Sequence, residues 1–336
     1  MIYSFQYFRI IALVLVIVEH LSILSPHNHL LMLLASGGAI ATSFFFMLSG
    51  FFQYKHLQKV NSSSFIQHFK NTIHYKKSYF LQYYFYLVLA FLYYQIINRN
   101  LLSNFKNVLK DILLIPVLVR TNDYIGSSAW FFMVLIICMI FSYYLKKLVD
   151  LNNHYFLTIS CLIIFFFTAE IFCSKFFVDY YEWFMWYSVY PAIIKYTIGL
   201  LLGKLYFNQL SSLKFASIHE IVSILLIVGI KFGYVNLFSF HFSILVCTIY
   251  LIYVYSFQKG CISKLLKPNV IVDYIYQLSF PIYLFHFILL KIISLSPKLS
   301  PWNNIYINFI EVLVIINIGY YIVHSILIKR KQQPKY

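Results

Sequence analysis

Charge is what this sequence has least of. Of its 336 residues only 11% are Asp, Glu, Lys or Arg, and only 10 are acidic. A water-soluble domain carries roughly 25% charged residues, so this chain lacks the polar surface to coat a soluble globule of its size. Intrinsic disorder is excluded by the same shortage, because disordered segments are poor in apolar residues and rich in charge. Glycine (10) and proline (8) are sparse and follow no repeat, which excludes a collagen-like fibre. The five cysteines, Cys138, Cys161, Cys173, Cys247 and Cys261, fall in or beside apolar stretches without a C-x-x-C pair. Neither a disulfide framework nor a metal cluster is implied. Nor is there a G-x-x-x-x-G-K-[ST] or G-x-G-x-x-G run, the loops that cradle nucleotide phosphates. No repeat or linker divides the chain, which reads as one integral domain over 1–336.

What the chain has in excess is apolar length: 61% of its residues are hydrophobic and the mean hydropathy is +0.77. A helix needs about 20 mostly apolar residues to cross a membrane. Ten stretches qualify, near 7–25, 31–52, 79–97, 129–145, 155–173, 191–207, 218–235, 238–257, 274–294 and 304–328. The runs are continuous and lack the period-two alternation of a barrel. The expected fold is therefore all-α, a polytopic transmembrane bundle of about ten spanning helices. An eleventh apolar piece, 108–119, contains Lys110, ends before Arg120 and is too short to span, which fits a re-entrant or interfacial segment.

Lysine and arginine set the orientation, because short cytoplasmic loops carry an excess of them. With both termini in the cytoplasm, the inner segments hold 16 of the 26 cations. Lys55, Lys59, Lys70, Lys76, Lys77, Lys146, Lys147, Lys204 and the Lys329-Arg330-Lys331 run are among them. Nine lie outside or on outer flanks, Lys195, Lys231, Lys291 and Lys298 included, and Arg9 lies near the start of the first span. The basic balance is then topological, and nucleic acid is not needed to explain it. Ile10–Val18 has the length of a signal-peptide apolar core, but Glu19 and His20 follow at once and no small-x-small site precedes Pro26. A retained first helix is expected.

Ionisable groups inside a span are costly and mark function. Arg9, Glu19 and His20 share the first helix. Arg9 and His20 are eleven residues apart, about three turns, so they project from nearly one face. Arg9 alone could snorkel to the inner headgroups, but snorkelling does not explain a Glu-His pair. A histidine facing a cavity can serve as general base near neutral pH, and an adjacent carboxylate can orient it. Consecutive helical residues point about 100° apart, however, so Glu19 could pair with another helix instead. Glu170, Glu311, His241 and His324 read as structural or interfacial. His27, His29, His56, His68, His74, His154 and His219 fall in loops or at helix ends and need no chemistry. The inner loop ends His74-Tyr75-Lys76-Lys77-Ser78, a positive-inside signal that could also receive a phosphorylated ligand.

Four ordered motifs resemble those of the acyltransferase-3 family of integral membrane O-acyltransferases. The first is Arg9, ten intervening residues and His20, with Glu19 before it. The second is Phe45-Phe46-Met47-Leu48-Ser49-Gly50-Phe51, and the third Ala129-Trp130-Phe131-Phe132. The last is Ser279-Phe280-Pro281-Ile282-Tyr283-Leu284-Phe285-His286; Ile198-Gly199-Leu200-Leu201-Leu202-Gly203-Lys204 is similar to a glycine-rich helix of the family. The resemblance implies transfer of an acyl group, usually acetyl, from cytoplasmic acyl-CoA to a hydroxyl of a cell-surface or lipid-linked carbohydrate. His20 would then be catalytic with Arg9 and Glu19, Lys76 and Lys77 would bind the donor, and Ser49, Trp130, Tyr283 and His286 would support the site. It further implies a multi-pass protein of a cell membrane, the bacterial cytoplasmic one, with acetyl-CoA as a substrate and no tightly bound cofactor or metal.

The chain departs from the family pattern in three places. Lys76-Lys77-Ser78 stands where many members have Arg residues followed by Pro, Ala41-Thr42-Ser43 where Gly-Val-Asp is frequent, and Met133-Val134-Leu135 where acidic residues follow the Trp motif. A polytopic transporter or flippase of a polysaccharide precursor or small anionic substrate would also carry charges in a basic ten-helix bundle. The mark of that class, duplicated halves with interrupted helices, has no clear counterpart here.

Overall fold

The computed structural model describes residues 2–24, 31, 37–60, 64–120, 129–151, 154–209, 213–294 and 305–332. These are 88% helical, and no strand occurs among them. In chain order the helices are α1 (Tyr3–Leu24), α2 (Gly38–Lys59), α3 (Phe65–Asn98), α4 (Leu101–Ile112), α5 (Ile115–Leu118), α6 (Trp130–Leu151) and α7 (Tyr155–Phe176). They continue with α8 (Val178–Tyr187), α9 (Val189–Gln209), α10 (Ala216–Lys231), α11 (Phe240–Ser256), α12 (Cys261–Leu265), α13 (Val270–Ser294) and α14 (Ile305–Gln332). His27, His29 and Lys298 lie outside the described residues, as do the side chains of His324 and the Lys329-Arg330-Lys331 run.

Among the described residues, each of the ten apolar stretches has a helix over most of its length. Among the described residues five helices, α1, α3, α6, α7 and α13, are long and apolar enough in themselves to cross a membrane, and α11 and α14 contain shorter apolar lengths. The outer surface agrees, since Val14, Phe85, Phe165, Leu225 and Ile318 are each half exposed or more. A continuous apolar exterior of this kind calls for lipid to cover it.

The segment 108–119 is two pieces rather than one. Helix α4 starts earlier, at an Asn100 cap whose side chain accepts the Ser103 N–H at 3.1 Å. A turn at Leu113–Leu114 then breaks the chain, with Leu114 at φ 58° and Pro116 opening α5. Proline suits the first turn of a helix and ends the one before it. Helix α4 is amphipathic in an inverted sense. Leu102, Phe105 and Leu109 are exposed, whereas Asn104 and Asp111 are buried. Asn104 donates to Gln95 Oε1 at 3.0 Å, and the Asp111 carbonyl accepts the Tyr83 hydroxyl at 2.9 Å, both on α3.

Helices α2 and α9 form the centre of the bundle, and their backbones touch. A methyl group on Gly50 would strike the Tyr196 carbonyl, one on Gly199 the Met47 carbonyl, and one on Gly203 the Phe51 carbonyl. Gly199 and Gly203 are four apart, so both lie on the α9 face turned to α2, the small-x-x-x-small arrangement that lets apolar helices approach. Around this pair α1, α6 and α11 pack on α2, and α6 and α7 pack on α9.

One end of the bundle gathers the start of α1 with the ends of α2, α6, α9 and α11. Phe5 meets Phe51 edge-to-face at 5.4 Å between ring centroids, and Phe51 meets Tyr206 at 5.4 Å. Two buried charges fix helix ends here. Lys204 donates to the Val149 and Asp150 carbonyls at 2.8 and 3.2 Å, satisfying the last turn of α6. Glu220 accepts the N–H groups of Gly260, Ile262 and Ser263 at 2.8–3.1 Å and the Ser263 hydroxyl, neutralising the positive start of α12.

The α2–α9 contact predicts a contrast between two substitutions. Gly199→Ala drives a methyl into backbone and should destabilise the folded protein by about 1–3 kcal/mol. Gly319→Ala on α14 meets nothing within 4 Å and should leave stability unchanged or slightly raised. Thermal unfolding of both variants in detergent, followed by size-exclusion fluorescence, checks this; equal melting temperatures would refute it.

Candidate active site

Helices α1 and α13 run side by side in the same direction and meet at three levels. At the lowest, Gln6 Nε2 donates to Asp273 Oδ1 at 2.8 Å. One turn on, Arg9 Nη1 donates to the Tyr276 hydroxyl at 3.3 Å, and its guanidinium carbon lies 4.8 Å from that ring's centroid. Three turns further, His20 Nδ1 lies 2.6 Å from His286 Nε2, the rings stacked with centroids 4.9 Å apart and planes 13° from parallel. At 1.5 Å per residue the Arg9 and His20 levels are about 16 Å apart along the helix.

The partners of His286 fix the tautomers of the pair. His286 is fully buried, and its Nδ1 faces two acceptors, the Ile282 and Tyr283 carbonyls, at 2.9 and 2.8 Å. A carbonyl can only accept, so Nδ1 carries the hydrogen, and in a neutral ring Nε2 is left with the lone pair. His20 Nδ1–H must then donate to it, which puts the free lone pair of His20 on Nε2. His20 retains partial exposure. Its ring also meets Phe287 at 4.7 Å, and the Lys291 ammonium sits 4.5 Å over that phenyl. The contacts hold the His20 imidazole in one orientation within an aromatic setting.

The remaining expected residues divide. Lys76 on α3 is half-buried, near enough to Arg9 for their charges to repel, and lies 5.4 Å over the Tyr79 ring. Lys77 is exposed. Two cations thus converge at the end of the bundle remote from His20. Glu19 turns away from His20 and accepts the Gly38 N–H at 2.6 Å, so a carboxylate on α1 holds the positive start of α2. Tyr283 is buried one turn before His286, edge-on to Phe45 and Phe131 at 6.2 and 5.1 Å. Trp130 opens α6 and packs on Phe46 and Tyr187 at 6.2 and 5.4 Å. Ser49 is half-buried beside Gly50 on the central helix.

Sequence reasoning missed Gln6, Asp273 and Tyr276, and it gave His286 only a supporting place. The signal available was a polar ladder on α13, Asp273, Tyr276 and His286, spaced three and ten residues apart like Gln6, Arg9 and His20 at three and eleven. Among the described residues no three His, Cys, Asp or Glu side chains are grouped to hold a metal ion.

Helices long and apolar enough to cross a membrane, packed around polar side chains held in their interior, define a multi-pass membrane protein with an internal site. The family model described as an acyltransferase domain matches residues 2–327, nearly the whole chain and both helices that carry the histidines. The protein therefore belongs to the acyltransferase-3 family, and it is a membrane acyltransferase that works on an acyl donor and an acceptor within a bilayer. Comparison with curated proteins and with solved structures gives no match. Membership favours acyl transfer over the transport reading.

Glu19 offers a separable test of its geometry. Glu19→Gln keeps an oxygen for the Gly38 N–H and should retain most of the stability. Glu19→Ala removes the acceptor and should cost about 1–2 kcal/mol, as loss of a helix cap does. Thermal unfolding of the two variants checks this, and indistinguishable curves would refute it.

Proposed function

We propose that this protein moves an acetyl group from cytoplasmic acyl-CoA to a hydroxyl of a cell-surface or lipid-linked carbohydrate, with His20 as general base. The observation that carries the reading is the His20–His286 contact, because the hydrogen bonds of His286 leave His20 Nε2 as the free lone pair. Nε2 takes the proton of the acceptor hydroxyl as its oxygen attacks the thioester carbonyl. The C–S bond breaks, and the departing thiolate receives that proton from the imidazolium, giving CoA-SH and the ester. His286 acts as a positioning residue: its Nε2 accepts from His20 Nδ1–H and steadies the transient positive charge.

Arg9 and Lys76, with Lys77 beyond them, are suited to attract the phosphates of CoA. The distance of about 16 Å from Arg9 to His20 suits an extended pantetheine arm. Acyl-CoA is a substrate in this scheme, and no bound cofactor is required. The proposed orientation puts both termini, Lys59, Lys204 and the Arg9–Lys76 pair on the cytoplasmic side, with ten spans in a bacterial cytoplasmic membrane. The acceptor then meets His20 in the outer half of the bilayer.

Membranes carrying the intact protein or a variant, supplied with radiolabelled acetyl-CoA, test the reading. His20→Ala should lower label transfer to glycan by at least about a hundredfold, the scale of general base catalysis. Equal labelling would remove His20 from the chemistry. His286→Phe should lower kcat by at least about tenfold with KM little changed, since it frees the tautomer of the base. His286→Gln, which offers an oxygen to His20 Nδ1, should recover part of the loss. Arg9→Ala should raise the KM for acetyl-CoA and leave that for the acceptor unchanged; an unaltered donor KM would refute its role.

A further inference from the structure

A second polar pocket lies at the His20 end of the bundle, and the transfer chemistry leaves it without a task. It is lined by Thr42 and Ser43 of α2, Trp130 of α6, Trp186 of α8, Lys195 of α9 and His241 of α11. Thr42 and Ser43 stand one turn along α2 from Gly38, the residue that Glu19 holds. The cavity is small, about 10 Å³, the room that one water-sized group needs.

Its walls are polar in a way that packing does not explain. Lys195 is only 7% exposed, yet it makes no hydrogen bond among the described residues, and the Phe166 ring centroid lies 5.7 Å from its ammonium. Glu170 is the carboxylate whose charge reaches it. That carboxylate is engaged elsewhere, accepting from the Tyr181 hydroxyl at 3.0 Å and the Ser239 hydroxyl at 2.7 Å, and forms no ion pair with Lys195. Ser43 Oγ is 1% exposed and has no hydrogen-bond partner. His241 is buried and meets Trp186 edge-to-face, with centroids 4.7 Å apart, and also makes no hydrogen bond among the described residues. A buried ammonium and a buried hydroxyl, both unsatisfied, are costly to keep and are expected where a ligand completes them.

We propose that this pocket is a subsite for the carboxylate of an acidic sugar on the acceptor. Lys195 supplies the counter-charge and the Ser43 hydroxyl donates to the one carboxylate oxygen that the cavity has room for, while the sugar ring stays outside it. The word acceptor rests on the acyl-transfer reading; the anion subsite itself does not.

The test is a binding measurement. The purified full-length protein in phosphatidylcholine nanodiscs is titrated with glucuronate or with glucose at equal ionic strength, and indole fluorescence is read, since two of the four tryptophans line the pocket. Glucuronate should give a saturable change and glucose none. Lys195→Gln should weaken glucuronate by about tenfold or more, as loss of a hydrogen bond to a charged group does. Lys195→Arg should keep it, and Ser43→Ala should weaken it less. Equal binding of glucose, an unchanged Lys195→Gln protein or no saturable signal would overturn the proposal. If Lys195→Gln does not give monodisperse protein, Ser43→Ala and the glucose comparison decide. Doping the nanodiscs with phosphatidylglycerol separates the sources of the anion, because loss of the glucuronate response there would assign the pocket to a lipid headgroup and overturn the sugar assignment. The two readings also fail separately. Normal binding by Lys195→Gln alongside intact acetyl transfer removes the subsite alone. Glucuronate binding by a protein that transfers no label to any hydroxyl removes the transferase reading alone.

Discussion

The backbone contact between α2 and α9 governs the rest of this molecule. In lipid there is no hydrophobic gain in pressing two apolar helices together, so close packing has to supply the attraction. Gly50, Gly199 and Gly203 remove the side chains that would hold the axes apart, and each faces a carbonyl of the opposite helix. Dispersion and weak Cα–H···O contacts then act over several turns. Because α1, α6 and α11 pack directly on α2, a widening of this seam would be passed to the helix that carries Arg9 and His20.

The polar groups use two different physical strategies. Toward the start of α1, Arg9 and Lys76 stand beside aromatic rings, where cation–π contact offsets part of the hydration a cation loses on burial. Toward the end of α1, the histidines avoid charge altogether. They satisfy each other through one hydrogen bond and give their remaining donor to helix carbonyls. A neutral, fully bonded pair is the least expensive polar device in a dry interior, and it still leaves one lone pair available for chemistry.

Much of this was legible in the residues. Continuous apolar runs marked every long helix, because burial in lipid imposes length and composition with little ambiguity. Arg9 and His20 stood out because charge inside a span is rare. The bond between His20 and His286 was not legible, since a helix records its own periodicity and says nothing of which distant helix lies alongside. Glu19 shows the same limit. Its spacing allowed a partner on either side, and only the position of Gly38 shows that it caps α2. The break at Leu113–Leu114 escaped because hydropathy sees an unbroken apolar run where backbone geometry, Pro116 included, makes a corner.

The pairing of α1 with α13 also has a consequence for biosynthesis. The two histidines are 266 residues apart in the chain, so the first helix enters the membrane long before its partner exists. At roughly 5–20 residues per second, translation separates them by some tens of seconds. Throughout that interval His20 Nδ1 lacks the acceptor that His286 later supplies. The oriented pair is thus tied to completion: only a polypeptide that has placed α13 in register with α1 holds the two imidazoles in this arrangement.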